Sequence, residues 1–218
     1  MRLDASTVID RTGNVLFRVT LTEDDGSVLT KTLAPEDYLR LIQNNCTVKT
    51  EYIHLGKLPK GYVDGAVAAD DTFKVLLKVP ASKRLLVHTS GHYEIPFPDL
   101  IFYFEVNKGT LKEKYVYALK GKILYHYPFG NVSTNGSICM GNISCKELSL
   151  ATADEAIDSF FSGVTNNDYY YPKEKVTVSY SQQVLLDKLS RLEAFPARWL
   201  KKSGTTLESL EKRLRKEA

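Results

Sequence analysis

Residues 131–142 read Asn-Val-Ser-Thr-Asn-Gly-Ser-Ile-Cys-Met-Gly-Asn, and this stretch decides which fold we expect. Asn135-Gly136 is among the strongest turn-forming dipeptides, because both residues tolerate a positive φ. Cys139 follows the turn with an apolar residue on each side, which can anchor it on a core. The turn also brings the Asn131 carboxamide back towards the sulfur. The stretch therefore predicts a nucleophilic thiol and a polar donor on one short, hairpin-like excursion.

The stretch resembles the active-site segment of ubiquitin-conjugating enzymes. Their pattern is an asparagine eight residues before the catalytic cysteine, then Asn-Gly-Ser/Thr-Ile-Cys-Leu. The chain matches it from Asn131 to Cys139, and Met140 replaces the leucine. The resemblance covers roughly residues 73–164 and includes Ile95-Pro96-Phe97-Pro98. These prolines are more similar to the bacterial branch of the superfamily (prokaryotic family D), in particular to the B protein of the PRTRC plasmid-type operons.

Two positions depart from the family pattern. The family usually has His-Pro directly before the asparagine, whereas Phe129-Gly130 stand there in this chain, with His126 slightly upstream. The acidic residue often found two positions after the cysteine is replaced by Gly141. These departures concern the packing of the loop and its downstream contacts.

The resemblance implies transthiolation. Cys139 would take the C-terminus of a ubiquitin-like modifier from an activating (adenylating) enzyme as a thioester, and would pass it to an amine or a thiol. The implied partners are the modifier, the activating enzyme and a deconjugating metalloprotease from the same operon. The residues themselves argue against a cysteine-protease dyad, because no histidine or lysine stands at an obvious adjacent position.

Asn131 has two candidate roles that need not exclude each other. It would brace the loop by bonding nearby backbone, or it would donate to the oxyanion that forms when an amine attacks the thioester. His126 could stand in for the missing histidine, or it could simply lie at the end of a strand, and we favour the second interpretation.

Two further residues are candidates with an ordinary alternative. Asp168 is an acid of the kind that holds the incoming lysine in the family, although an aspartate exposed in a turn is the more ordinary interpretation. Cys145 could be a resolving thiol, although we expect it to pack under the loop.

Composition and charge exclude several classes of function. The 218 residues carry a net charge of only +3, so no global nucleic-acid signature is present. Residues 181–218 hold nine Lys/Arg and five Asp/Glu, a modestly basic tail that is typical of a solvated helical surface. No signal peptide or membrane segment is recognisable, and three scattered cysteines fit a reducing cytoplasm. No phosphate-binding glycine pattern, zinc-ligand spacing or other cofactor signature occurs, so we expect no cofactor.

The order of elements predicts an α+β fold, because strands come first and helices later. We expect an N-terminal β-hairpin and helix extension (1–56), a ubiquitin-conjugating-like core with a mostly antiparallel sheet (57–180) and a basic helical tail (181–218). Five local expectations are open to test: a strand at 46–55, a joint between extension and core at 56–69, a helix from the Thr152–Glu155 capping box to Val164, an edge strand at 176–180, and a capping box at Thr205 and Glu208.

Three hypotheses of different classes follow from these observations. The favoured one is a catalytic, bacterial ubiquitin-conjugating-like protein. The second is a non-catalytic binding module that retains the fold, with the N-terminal extension and the basic tail as its interaction surfaces. The third is a plasmid-maintenance component in which Cys139 is merely inherited.

Overall fold

The computed structural model describes residues 2–45, 55–68, 70–141, 145 and 147–215. The chain divides into two units, residues 1–54 and 55–218. The strand expected at 46–55 lies almost entirely outside the described part of the chain, which leaves out residues 46–54.

In its described residues 2–45, the first unit is a three-stranded antiparallel sheet with one helix. Its strands β1 (Arg2–Ile9), β2 (Val15–Thr22) and β3 (Val28–Leu33) are joined in sequence order, and α1 spans Pro35–Asn45. The sequence correctly predicts that β3 pairs with β2 in a hairpin. It also correctly predicts that the helix begins at Pro35. Strand β1 has no counterpart among our expectations, because its alternation of apolar and polar residues is irregular.

The second unit contains a five-stranded antiparallel sheet in the order β10-β9-β8-β5-β4. A separate hairpin is formed by β6 and β7. The bounds of these strands are β4 Tyr62–Val67, β5 Phe73–Val79, β6 Ser82–His88, β7 Gly91–Phe97, β8 Leu100–Asn107, β9 Thr110–Lys120 and β10 Ile123–His126. The mostly antiparallel α+β fold predicted from the sequence is confirmed.

Strands β5, β8 and β9 carry two apolar faces, and each face is covered. One face, which includes Phe102 and Phe104, belongs to the larger core cluster, together with buried residues that follow the sheet. The other face, which includes Tyr103 and Tyr117, packs against Leu210 of the last helix. Because both faces are buried, β5 and β8 are nearly continuous apolar runs rather than alternating ones.

Within the described residues 127–141, 145 and 147–215, three helices follow the sheet: α2 at Glu155–Ser162, α3 at Gln182–Leu189 and α4 at Leu207–Arg215. Single 3-10 turns lie at Leu150–Thr152 and Ala197–Trp199. The N-cap of α3 is Ser181, whose side chain accepts a hydrogen bond from Val184 N–H.

The predicted beginning and end of α2 are wrong. The capping box forms one element earlier, between Ser149 and Thr152 around the 3-10 turn, and the α-helix starts only at Glu155. It ends at Ser162, because Gly163 is extended, so Val164 does not lie on the buried face but is 58% exposed. The sequence pattern assigned the capping box to the start of α2, whereas in the structure it caps the free N–H groups of the 3-10 turn before α2.

The segment 56–69, expected as the joint between extension and core, contains β4, which pairs with β5. Two other expectations are corrected. Residues 176–180 form no strand: Val176 makes only isolated bridges, to Pro172 and Leu200. The capping box of α4 uses Thr206 and Ser209, because Ser209 N–H donates to Thr206 Oγ1 and Thr206 N–H donates to Ser209 Oγ.

Candidate functional site

Residues 131–139 form a tight, hydrogen-bonded hairpin, which we call the first wall. Cys139 N–H donates to the Asn131 carbonyl at 2.8 Å, and Ser133 N–H donates to the Ser137 carbonyl at 2.9 Å. At the tip, the Asn135 side chain accepts hydrogen bonds from Ser137 N–H at 3.0 Å and from Ser133 Oγ. Gly136 supplies a φ of +86°, the positive value expected after Asn135. The hairpin-like excursion predicted from the sequence is therefore present.

The returning arm of this hairpin pairs with the edge of β9. Val116 N–H donates to the Gly136 carbonyl at 2.9 Å, and Ile138 N–H donates to the Lys114 carbonyl at 3.0 Å. Ile138 is buried in the larger core cluster. Because the residue before it is fixed by the sheet and the core, Cys139 leaves the hairpin at a defined position.

Tyr117 supports the turn from below. Its hydroxyl donates to the Asn135 carbonyl and accepts from Thr205 Oγ1 at 3.1 Å. Burial raises the pKa of Tyr117, which keeps its hydroxyl protonated and able to donate. A Cβ at Gly136 would lie 2.3 Å from the ring, so only glycine fits over this tyrosine. No sequence pattern predicts this support.

Residues 163–168 form the opposite side of the site, which we call the second wall. Thr165 N–H donates to the Val87 carbonyl at 2.7 Å, and Thr89 N–H donates to the Thr165 carbonyl at 3.0 Å, so this wall borders β6. Asn166 and Asp168 bond each other at 2.8 Å twice, through side chain and main chain.

Asn131 joins the two walls. Its Nδ2 donates to the Val164 carbonyl at 2.9 Å, and its Oδ1 accepts from Asn166 N–H at 3.2 Å. Its main-chain N–H donates to the Asp168 carbonyl at 2.8 Å. Its φ is +59°, in the left-handed region that asparagine tolerates better than most residues. The carboxamide thus braces the two walls through Oδ1 and one Nδ2–H, and its second Nδ2–H is not used in these bonds.

Gly130 makes this close approach of the walls possible. A Cβ there would lie 2.0 Å from the Asn166 carbonyl oxygen and 2.8 Å from Oε1 of Gln182. A proline ring, which the family pattern has at this position, would meet the same atoms. The Phe129-Gly130 departure therefore accompanies a second wall that is drawn in against the main chain.

Cys139 is exposed and opens onto a pocket of about 380 Å³ between the two walls. Among the described residues that line the pocket, the ionisable side chains are those of Cys139 and Asp168. Phe160 and Val164 add apolar surface, and Asn131 adds amide surface. The pocket thus presents a thiol beside neutral walls, with one carboxylate at its rim and no adjacent base in the described lining.

The structure does not place His126 in this pocket. It is the last residue of β10 and half-buried, and its main-chain N–H donates to the Lys201 carbonyl at 3.0 Å. Burial lowers the pKa of His126, while a hydrogen bond to the Thr134 backbone opposes that shift. His126 lies behind the hairpin rather than beside the sulfur. Cys145 is half-buried against the core cluster.

Sequence reasoning missed two residues that shape the site: Tyr117 and the buried Lys175, whose Nζ donates to the Phe129 and Val132 carbonyls. Each acts through a contact between segments distant in sequence, so no local pattern could have revealed it. In the described part of the chain, no three His, Cys, Asp or Glu side chains gather as a metal site would require.

A model of prokaryotic E2 family D matches residues 50–203, which is more than half of the chain. The chain belongs to that family. E2 denotes the ubiquitin-conjugating class, so the chain is ubiquitin-conjugating-like and of the bacterial kind. The family match spans both walls of the pocket and the sheet that supports them.

Neither the curated proteins nor the solved structures include a match to this family D chain. In the described part of the chain, no helix has the length and apolar character needed to cross a membrane.

Proposed function

We propose that this family D protein accepts a ubiquitin-like modifier as a thioester on Cys139 and transfers it to an acceptor amine or thiol. The observation that supports this most is the exposed Cys139 on a hairpin fixed by hydrogen bonds, facing a pocket with room for a reacting chain end. The finer relationship, to the B protein of the PRTRC plasmid-type operons, rests on the sequence resemblance.

The reaction needs no base in the pocket. The Cys139 thiolate attacks the thioester carbonyl that links the modifier to the activating enzyme. A new C–S bond forms at Cys139 while the old C–S bond breaks, and the thiolate of the activating enzyme leaves. In the second step the acceptor amine attacks, Cys139 leaves as a thiolate, and the amine proton is released to solvent. The first step exchanges one thioester for another, so it requires no further activation.

Asn131 and Asp168 have proposed roles in the second step. One N–H of the Asn131 carboxamide donates to the Val164 carbonyl, and the other N–H would donate to the oxyanion. Such an interaction is worth ~10²–10³ in rate at other oxyanion sites. The exposed carboxylate of Asp168 would hold a cationic amine at the rim of the pocket. His126 would act only on the loop, from behind it.

The proposed partners are a ubiquitin-like modifier and an activating enzyme that uses ATP to adenylate the modifier. A deconjugating metalloprotease of the same operon is a third proposed partner. These follow from the family relationship and from the chemistry of a thiol that accepts an acyl group.

A charging assay tests the proposal. The protein is incubated with the modifier, its activating enzyme and ATP, and a thiol-sensitive adduct is sought on a non-reducing gel. We expect an adduct that is lost in Cys139→Ala and kept in Cys145→Ala and Cys46→Ala. In Cys139→Ser, a thiol-resistant and alkali-sensitive ester should replace it, since a serine oxygen forms an oxyester.

The competing function is a non-catalytic binding module of the same fold. The amphipathic α4, whose last turn carries Lys212, Arg213 and Arg215, favours it as a candidate surface. Absence of an adduct with functional partners, together with wild-type binding of the modifier by Cys139→Ala, would support that module and contradict catalysis.

A further inference from the structure

Lys175 is a buried cation directly behind the first wall. Its relative exposure is 0%, and its Nζ donates to the Val132 carbonyl at 2.7 Å and also to the Phe129 carbonyl. The ring of Tyr127 lies 5.8 Å from the same nitrogen. A lysine is almost never fully buried unless its charge is paired. In the described part of the chain, however, no carboxylate lies within salt-bridge distance of this ammonium.

The two carbonyls that Lys175 binds are the ones that bracket the Gly130-Asn131 dipeptide. Phe129 precedes the dipeptide and Val132 follows it. Both peptide groups turn their oxygens inward to one nitrogen, so the chain between them projects outward towards the second wall, where the Asn131 carboxamide bonds Val164 and Asn166. The Val132–Ser133 peptide also contributes its N–H to the hairpin, through the bond to the Ser137 carbonyl.

We propose that Lys175 is a positioning residue for the site: by binding the Phe129 and Val132 carbonyls it sets the bend that aims Asn131 at the second wall and holds the hairpin that presents Cys139. Its effect on the loop stands by itself, whereas its effect on modifier transfer rests on the proposed function. Lys175 does not touch the pocket, so it acts only through these main-chain groups.

The chemistry of the amine makes this support sensitive to pH. An ammonium offers three donors and no acceptor, and hydrogen bonds from a charged donor are about twice as strong as neutral ones. Burial lowers the pKa of Lys175 to about 7. Between pH 6 and pH 8 the group therefore changes from an ammonium to a neutral amine, and its hold on the two carbonyls weakens.

The other ionisable groups around Lys175 are shifted by burial or lie on the surface, and the His126→Gln variant separates His126 from Lys175. His126 feels the charge of Lys175, but burial moves its pKa below the ordinary 6.5. Burial raises the pKa of the Tyr127 phenol far above neutrality. Glu174, next to Lys175 in sequence, and Lys201 of the following segment are exposed. A transition near pH 7 in this loop is thus expected to come from Lys175.

Amide exchange in the full chain tests the inference without any partner protein. The reporters are Ser133 N–H and Cys139 N–H, each corrected for intrinsic exchange, and Gly26 N–H, which donates to Glu23 in the β2–β3 turn of the first unit, is the reference. In the wild type we expect the protection of both reporters to fall about fivefold from pH 6 to pH 8, following the roughly twofold stronger bond of a charged donor. The protection of Gly26 should stay constant.

Two variants assign the transition. His126→Gln should keep it, and Lys175→Met, which is similar in length but has no donor, should abolish it and leave protection low at every pH. A residue that merely filled space would give no transition in the wild type, and a flat wild-type profile would overturn the inference. If Lys175→Met does not fold, the wild-type and His126→Gln profiles decide the matter, and loss of the transition in His126→Gln would also overturn it.

The effect on the reaction is measured separately. With the modifier loaded, Lys175→Met should discharge it to an amine at least about tenfold more slowly at pH 6.5, because Asn131 is no longer aimed. Its initial charging rate should fall less than its discharge rate, because the bonds to β9 and the burial of Ile138 still place Cys139. Unchanged discharge would confine Lys175 to the loop. Failure of every variant and of the wild type to charge would contradict the proposed function and leave the exchange result intact.

Discussion

The two walls of the pocket are held in different ways. The first wall, residues 131–139, is paired with β9, supported by Tyr117 and Lys175, and anchored in the core through Ile138. The second wall, residues 163–168, follows a helix that ends early, and it borders β6 through Thr165. The only carboxamide between the walls in the described contacts is that of Asn131.

This difference separates presentation of the thiol from the shape of the pocket. Cys139 depends on the first wall, which has two main-chain bonds to β9 and is also supported by Tyr117 and Lys175. The opposite surface has two main-chain bonds through Thr165, and its distance from the first wall depends on Asn131 and on the close approach at Gly130. Changes at the junction should therefore alter the pocket before they alter the position of the sulfur.

The largest effect is expected from Gly130→Ala, which forces the walls apart. Its Cβ would lie 2.0 Å from the Asn166 carbonyl oxygen, so the main chain has to move. We expect the free energy of unfolding to fall by about 3 kcal/mol, at the upper end of ordinary overpacking. Chemical denaturation measures it.

The matched control is Gly204→Ala, where a Cβ meets nothing within 4 Å and φ is not positive. It should leave the free energy of unfolding within about 0.5 kcal/mol of the wild type. Equal effects of the two substitutions would contradict the close approach of the walls at Gly130.

The second effect concerns the cation behind the first wall. The pKa of Lys175 is about 7 in the folded chain and 10.5 ordinarily. Between these values the unfolded chain binds the proton and the folded chain does not, so stability rises with pH. We expect the free energy of unfolding to increase by roughly 2–3 kcal/mol from pH 7 to pH 9, and this contribution to be flat below pH 7.

Urea denaturation across that range, on the wild type and on Lys175→Met, checks this prediction. The variant should lose the slope, whereas Lys122→Met, at an exposed turn, should retain it. Two opposite trends are therefore expected as pH rises. The free energy of unfolding of the whole fold increases, while the amide protection of the hairpin decreases because Lys175 loses its charge. A slope that persists in Lys175→Met would assign it to another group.

A third change, Asn131→Asp, unties the second wall and leaves the first wall intact. It replaces the Nδ2 donor with an oxygen that faces the Val164 carbonyl, at a present donor–acceptor distance of 2.9 Å. The remaining Oδ1 still accepts from Asn166 N–H, so the loss falls on the Val164–Thr165 peptide. We expect a loss of about 1–2 kcal/mol in unfolding free energy, and faster exchange of Thr165 N–H than of Cys139 N–H.

Asn135→Asp is the control for that change, because the side chain keeps the Oδ1 acceptor for Ser137 N–H and an Asp-Gly pair still suits the turn. It should be close to neutral. If Asn131→Asp accelerated exchange equally in both walls, the separation between them would be wrong.

The smallest effect is expected from Tyr117→Phe, which removes one support of the first wall. The hydroxyl bonds the Asn135 carbonyl and Thr205, so its removal should cost about 1 kcal/mol, the usual net value of a hydrogen bond. Denaturation compares it with Tyr171→Phe, at a position 47% exposed, which should be neutral. Equal stability of the two variants would show that the turn does not need Tyr117.

The sequence predicted the parts of the site that are local. Asn135-Gly136 specified the turn because a positive φ is a property of those residue types, and the order of the elements, strands first and helices later, predicted the mostly antiparallel sheet. It misplaced the end of α2 because Gly163 stops the helix before the apolar pattern stops, which left Val164 on the rim of the pocket.

The sequence by itself determined the α+β class, the hairpin that carries Cys139 and, through the family match, the ubiquitin-conjugating-like character. Only the tertiary structure decided that Asn131 bonds Val164 and Asn166, and that Lys175 supports the hairpin from inside the core. Turn and strand preferences arise between neighbours in the chain. A buried ammonium and a carboxamide find their partners 30 to 50 positions away, where no local pattern points.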